Sequence, residues 1–177
     1  MARVRSGDRD AYAELVRRHA PTALRTAVLL GAGSDAEDVV QEALVKAYRS
    51  LGSFREGAPF RPWLLRIVAN ETRNHHRTAV RRTAREDRAT LAEELLDPGD
   101  EVADREQKEH LLAAIESLPD RLRAVVTCRY LLELDERETA TVLRLPKGTV
   151  KSRLSRGLAR LREQLATAEV GREAGHV

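Results

Sequence analysis

The stretch Asp135-Glu-Arg-Glu-Thr-Ala-Thr-Val-Leu-Arg-Leu-Pro-Lys-Gly-Thr-Val-Lys-Ser-Arg-Leu-Ser-Arg-Gly-Leu-Ala-Arg-Leu161 reads as two helices joined by a short turn. Ala140, Val142 and Leu143 give the first helix, expected over 136–144, its inward side. Asp135 and Glu138 stand at capping-box spacing at its start. Pro146 and Gly148 mark the turn. Val150, Leu154, Leu158 and Leu161 then recur at steps of four, four and three, an apolar seam for a second helix over 148–166.

The side of that second helix away from the seam carries Lys151, Ser152, Ser155, Arg156 and Arg160, and no acidic residue occurs from Thr139 through Arg162. A helix that enters a DNA major groove needs short polar and cationic side chains near its start to reach base edges, with cations further along for phosphates. A merely solvated helix would mix charge signs.

Working upstream, helices are expected at 105–117 and 119–132, with Pro119 suited to a helix start. Cys128, the single cysteine, lies in an apolar helical stretch and reads as a small buried thiol. It fits a reducing compartment. Between Leu91 and Glu109 the composition turns acidic around Pro98-Gly99, which reads as a solvated linker or as a mimic of nucleic acid in a basic channel. Beyond Ala166 the tail is polar and expected to fray.

The N-terminal half is helical as well. Tyr12, Leu15, Val16 and His19 recur at helical spacing, Pro21 fits the first turn of a second helix, and Gly31-Ala32-Gly33 ends it. Ser34 and Glu37 repeat the capping-box spacing ahead of a helix over 35–50. On that helix Asp38, Gln41, Glu42 and Lys46 occupy two neighbouring stripes opposite much of the apolar side (Val39, Val40, Ala43, Leu44, Ala47). An acid-and-amide face suits docking to a basic protein helix, and an ordinary solvated face would look alike. Ser50 to Pro59 reads as a loop with Phe54 in it. A long helix follows from Phe60 to about Arg82, apolar first (Trp63, Leu64, Leu65, Ile67, Val68) and basic later (Arg73, Arg77, Arg81, Arg82).

Composition sets the outer limits. With 177 residues, 42% hydrophobic, 33% charged and 3% aromatic, the chain fits small helix-rich domains better than a β-sandwich or a disordered polymer. The formal net charge is only +3, but arginine greatly outnumbers lysine, as suits phosphate and guanine contacts. High genomic GC content would give the same bias. No apolar run approaches a membrane span, and Met1 to Asp10 is too polar for a secretory signal, so a cytoplasmic protein without membrane insertion is expected. His75 and His76 lack further ligands at a metal-binding spacing. No phosphate loop or nucleophile elbow is present, so neither enzyme activity nor a cofactor is expected.

Leu145-Pro-Lys-Gly-Thr-Val-Lys-Ser-Arg-Leu-Ser-Arg-Gly-Leu158 resembles the recognition helix of region 4 in extracytoplasmic-function (ECF, group 4) RNA polymerase sigma factors, the region that reads the promoter -35 element. Asp35-Ala-Glu-Asp-Val-Val-Gln-Glu42 is similar to region 2 where it grips the clamp helices of the polymerase β′ subunit. Ser53-Phe-Arg-Glu-Gly-Ala-Pro-Phe-Arg-Pro-Trp-Leu-Leu-Arg-Ile-Val-Ala-Asn-Glu-Thr-Arg-Asn74 resembles the family's -10-reading segment.

The resemblance implies an all-α chain of two small domains: a region 2 helical bundle over 7–84 and a region 4 helix-turn-helix over 108–166. An acidic linker over 85–107 would join them, and a polar tail would follow over 167–177. It implies polymerase docking through Asp38, Gln41 and Glu42. Contacts to -10 DNA fall to Phe54, Arg55, Arg61, Asn70, Arg73, Asn74 and Arg77, since aromatic surfaces and cations capture unstacked bases. Contacts to -35 DNA fall to Thr149, Lys151, Ser152, Arg153, Ser155, Arg156 and Arg160. Phe60 and Trp63 fit a core role better. The implied partners are core RNA polymerase through its β′ clamp helices and β flap, promoter DNA and an anti-sigma factor.

Two features depart from the family pattern. The first helix of the pair opens Leu134-Asp-Glu-Arg-Glu-Thr139 where an aromatic and paired glutamates are usual, and Ser155 and Gly157 replace bulkier residues. From the residues alone two other classes stay open: a polymerase-independent helix-turn-helix regulator whose first domain dimerises or senses, and a protein-binding helical adaptor.

Overall fold

A computed structural model describes residue 4, residues 8–79 and residues 102–174, with side chains for 4, 8–75 and 107–166. Every regular element among them is helical, and they fall into two compact units.

The first unit packs α1 (Arg9–Leu29), α2 (Ala36–Arg49) and α3 (Phe60–Ala79) against one another. Asp8 caps α1, its Oδ1 accepting from Ala11 N at 3.0 Å. The expected break at Pro21 does not occur, and α1 runs through it. Pro21 is exposed, so the carbonyl its ring leaves without a helical donor faces water. Ser34 also departs from expectation. It lies in a 3₁₀ turn (Gly33–Asp35), Asp35 precedes α2, and no side-chain cap bond forms there.

The helix instead matches its macrodipole with charge, Glu37 and Asp38 in the first turn and Lys46 and Arg49 in the last. Val39, Val40, Ala43 and Ala47 point inward from α2 and meet Leu64, Leu65 and Val68 of α3 in the buried set. Leu64 and Leu65 are 0% exposed, each contributing about 1.5–3 kcal/mol of burial free energy.

Along the rest of the chain α4 (Val102–Glu116), α5 (Asp120–Val126), α6 (Glu136–Leu143) and α7 (Lys147–Ala174) follow in order, and α5 packs along α7. Ile115, Leu118, Leu122, Val126 and Leu161 form one buried cluster, with Leu154 and Leu158 of the predicted seam against it. The helix expected over 119–132 changes winding: α5 passes into a π-helical turn, Thr127–Leu131. Cys128 sits there, 0% exposed, and burial pushes its thiol up to about 12, so a thiolate is suppressed. Beyond Ala166, where the polar tail was expected to fray, the backbone remains helical. Ala-, Glu- and Leu-rich sequence offers no breaker before Gly171, and α7 continues to Ala174. The acidic stretch before Glu101 and the basic residues Arg81 and Arg82 lie outside the described residues.

Candidate protein and nucleic-acid interfaces

On the solvent side of α2, Asp38, Gln41 and Glu42 line one open groove of about 670 Å³ together with Val45, Lys46, Arg49 and His75. The three predicted docking residues are therefore gathered on one surface. Val45 and Arg49 were not singled out from sequence, although each follows by a full helical step (Gln41, Val45, Arg49). Val45 is 45% exposed, an apolar spot between an acidic and a basic end.

Lys46 does not simply face outward. Its Nζ pairs with Oε2 of Glu71 on α3, whose side chain is only 6% exposed, and Asn70 Nδ2 donates to the other Glu71 oxygen at 3.4 Å. This pair ties α3 to α2. At the groove's rim His75 Nδ1 lies 3.8 Å from Asp35 Oδ2.

The aromatic segment that follows α2 corrects the sequence reading. Phe54 is 3% exposed, packed with Phe60 at 5.9 Å and Trp63 at 5.0 Å between ring centroids, in the same cluster as Leu51 and Leu64. Its ring anchors the loop from within and is not presented to a base. Phe60 and Trp63 pack there as expected. Pro62 is accommodated in the first turn of α3. His19 meets Phe60 at 5.2 Å; burial, then the charges of Arg18 and Arg61, hold its imidazole below the usual histidine range.

Outside this anchor the loop is exposed. Ala58 N donates to Arg55 O at 3.2 Å across a turn whose third residue, Gly57, has φ 77°, a left-handed conformation suited to glycine. Arg55, Arg73 and Asn74 are exposed, and Arg61 and Asn70 are half-buried. Asn70 is engaged with Glu71 as described. The side chain of Arg77 lies outside the described residues.

In the second unit the predicted capping box forms in both directions. Glu138 N donates to Asp135 Oδ1 at 2.8 Å, and Asp135 N donates to Glu138 Oε2 at 3.0 Å. The Glu138 amide holds the Asp135 carboxyl below the usual carboxylate range. The turn is made differently from expectation. Arg144 takes the left-handed conformation, φ 55°, and Leu145 N reaches back to Ala140 O at 3.0 Å, a Schellman-type helix end. Gly148 lies inside α7, with ordinary backbone geometry.

Along α7, Lys151, Ser152, Ser155, Arg156 and Arg160 are exposed, while Thr149 and Arg153 are half-buried. Arg156 lies along its own helix: Nε donates to Ser152 O at 3.1 Å, and Nη2 bonds Ser152 Oγ at 3.3 Å. The guanidinium is thus carried above an exposed hydroxyl on the cationic face.

Gly157 explains how this face is seated. A Cβ at that position would lie 2.8 Å from a Val126 methyl and 3.8 Å from Leu122 Cβ, so α5 and α7 approach closely because the residue has no side chain. Replacement by leucine is expected to destabilise the C-terminal unit by about 1–3 kcal/mol through overpacking against stiff Val126. Gly148→Ala, with nothing within 4 Å of the added Cβ, should stay within about 0.5 kcal/mol of the parent or exceed it. Urea unfolding followed by circular dichroism compares the two variants.

Among the described residues no group of three or more His, Cys, Asp or Glu side chains could hold a metal ion. None of the helices there is long and apolar enough to cross a membrane.

Comparison with known proteins covers both units. The family model for Sigma-70 region 2 matches residues 15–82, and that for Sigma-70, region 4 matches residues 108–161. The chain is 35% identical over 164 residues to the ECF RNA polymerase sigma-E factor of Escherichia coli (strain K12), covering 87% of this chain and 86% of that protein. It is 34% identical over 165 residues to the RNA polymerase sigma-H factor of Pseudomonas aeruginosa, with coverage of 87% and 86%. Among solved structures, CnrH in complex with the cytosolic domain of CnrY matches with a TM-score of 0.70 and 29% identity, over 94% of each chain.

Proposed function

Since this chain belongs to the ECF family of RNA polymerase sigma factors, we propose that it docks on core polymerase through α2 and directs initiation at promoters with a -10 and a -35 element. Sigma factors are initiation factors rather than enzymes. The observation that carries the docking role is the α2 groove, where Asp38, Gln41 and Glu42 converge on the solvent side while Val39, Val40 and Ala43 are buried behind them. An acidic, amide-bearing surface on a helix held rigid from behind suits a basic helix of the β′ clamp. The β flap is the second polymerase contact of this reading.

In this account Arg55, Arg61, Asn70, Arg73, Asn74 and Arg77 follow the melted -10 strand, with Phe54 acting only as an internal anchor. The exposed cationic face of α7 reads the -35 duplex through Ser152, Ser155 and Arg156, with Lys151 on the DNA backbone and Thr149, Arg153 and Arg160 supporting or holding phosphates. Two weak sites carried on one polymerase raise each other's effective concentration. CnrH is seen in complex with the cytosolic domain of CnrY, and in this reading the present chain too has a protein partner, an anti-sigma factor that regulates it.

Arg156 gives the sharpest test. Arg156→Ala should cost about 1–3 kcal/mol in promoter binding by the reconstituted holoenzyme and relax preference at one -35 position. Competition binding at fixed salt over a set of -35 variants measures both. Unchanged affinity and preference would remove α7 from the promoter.

A further inference from the structure

Although no acidic residue occurs from Thr139 through Arg162, the fold brings one to that face. Glu136, the first residue of α6, places Oε2 3.8 Å from Nζ of Lys151 near the start of α7. The Lys151 side chain is 73% exposed and that of Glu136 34%, so the pair stands at the surface. The capping of α6 does not require Glu136, because Asp135 and Glu138 already exchange both cap bonds. An exposed pair of this kind contributes little to stability. Its weight falls on what approaches the surface.

We infer that Glu136 moderates the grip of α7 on DNA: it holds Lys151 in an ion pair beside the -35-reading surface and weakens the attraction of that surface to duplex phosphates. The inference rests on the proposal that α7 reads the -35 duplex. A phosphate contacted by Lys151 lies well within one Debye length of the Glu136 carboxylate, about 8 Å at physiological ionic strength. The carboxylate therefore offsets one cation in the sequence-independent part of binding, which scales with the phosphates neutralised. Base contacts from Ser152, Ser155 and Arg156 are left to decide which duplex is held.

The test uses full-length Glu136→Gln in holoenzyme, titrated over a salt series with promoter and non-promoter duplexes, Arg156→Ala being run beside it. The inference predicts tighter binding of both duplexes and a log-log salt slope steeper by about 0.9. Adding Lys151→Gln to Glu136→Gln should reverse both changes. An unchanged slope would overturn the inference, and so would a selective loss of promoter binding, which would make Glu136 a base contact. If Arg156→Ala also leaves promoter binding unchanged, the failure belongs to the placement of α7. If Arg156→Ala acts and Glu136→Gln does not, the failure belongs to Glu136 alone.

Discussion

Reversing charge on the docking helix with Asp38→Arg and Glu42→Arg is expected to weaken binding to core RNA polymerase by about 100-fold or more while the chain stays folded. Both residues are exposed and line the α2 groove, and the apolar residues beneath them are untouched. Placing like charges against a basic partner helix costs several kcal/mol, and each 1.4 kcal/mol is about a factor of ten. The stability cost is far smaller. Losing acids near the N-terminal end of α2 forgoes about 0.3–1 kcal/mol of dipole interaction. Titration of labelled protein with core polymerase reads the affinity, and circular dichroism reads the fold. Native-like binding by the folded double variant would mean that α2 is not the docking element.

A second large effect is expected at Lys46. Lys46→Met removes the cation that faces Glu71 and strands the carboxylate of a side chain that is 6% exposed between α2 and α3. Breaking a fully buried pair from one side costs about 3–5 kcal/mol; the Lys46 side chain is 49% exposed, so about 2–3 kcal/mol is expected here. Adding Glu71→Gln should recover most of that loss, because the amide needs no counter-charge. Urea unfolding of the single and double variants forms the cycle that measures it. A single variant as stable as the parent would show that Glu71 finds solvent or another partner.

The periodic parts of the molecule were legible in the sequence. The α2 stripe of Val39, Val40, Ala43 and Ala47 and the α7 seam of Val150, Leu154, Leu158 and Leu161 repeat at helical spacing, and each buries the side it predicts. The Asp135 and Glu138 box was legible for the same reason, since its three-residue spacing is its geometry. Other signals misled because they are local rules overridden by packing. Pro21 interrupts nothing where its lost bond faces water, and Ser34 cannot cap a helix from inside a 3₁₀ turn. Gly148 drew the turn to itself, yet Arg144 adopts the left-handed conformation.

Side-chain placement in space was the least legible layer. Phe54 sits in a polar loop sequence and reads as exposed, and only three-dimensional packing with Phe60 and Trp63 turns it inward. Lys46 and Glu71 are 25 residues apart, with no spacing rule to connect them. Glu136 lies just outside the acid-free run that made the α7 face look purely cationic. Gly157 looked like a simple departure from pattern, whereas the distance to Val126 shows that a side chain there has no room.

The central claim, that this chain gives core polymerase its promoter choice, is tested most directly by mapping transcript start sites on a genomic promoter library with core polymerase alone and with the protein added. The account predicts start sites that appear only with the protein and share a two-part upstream motif, lost with Asp38→Arg/Glu42→Arg and altered in its upstream half with Arg156→Ala. Unchanged initiation by the polymerase, together with a specific duplex bound by the protein alone, would contradict it.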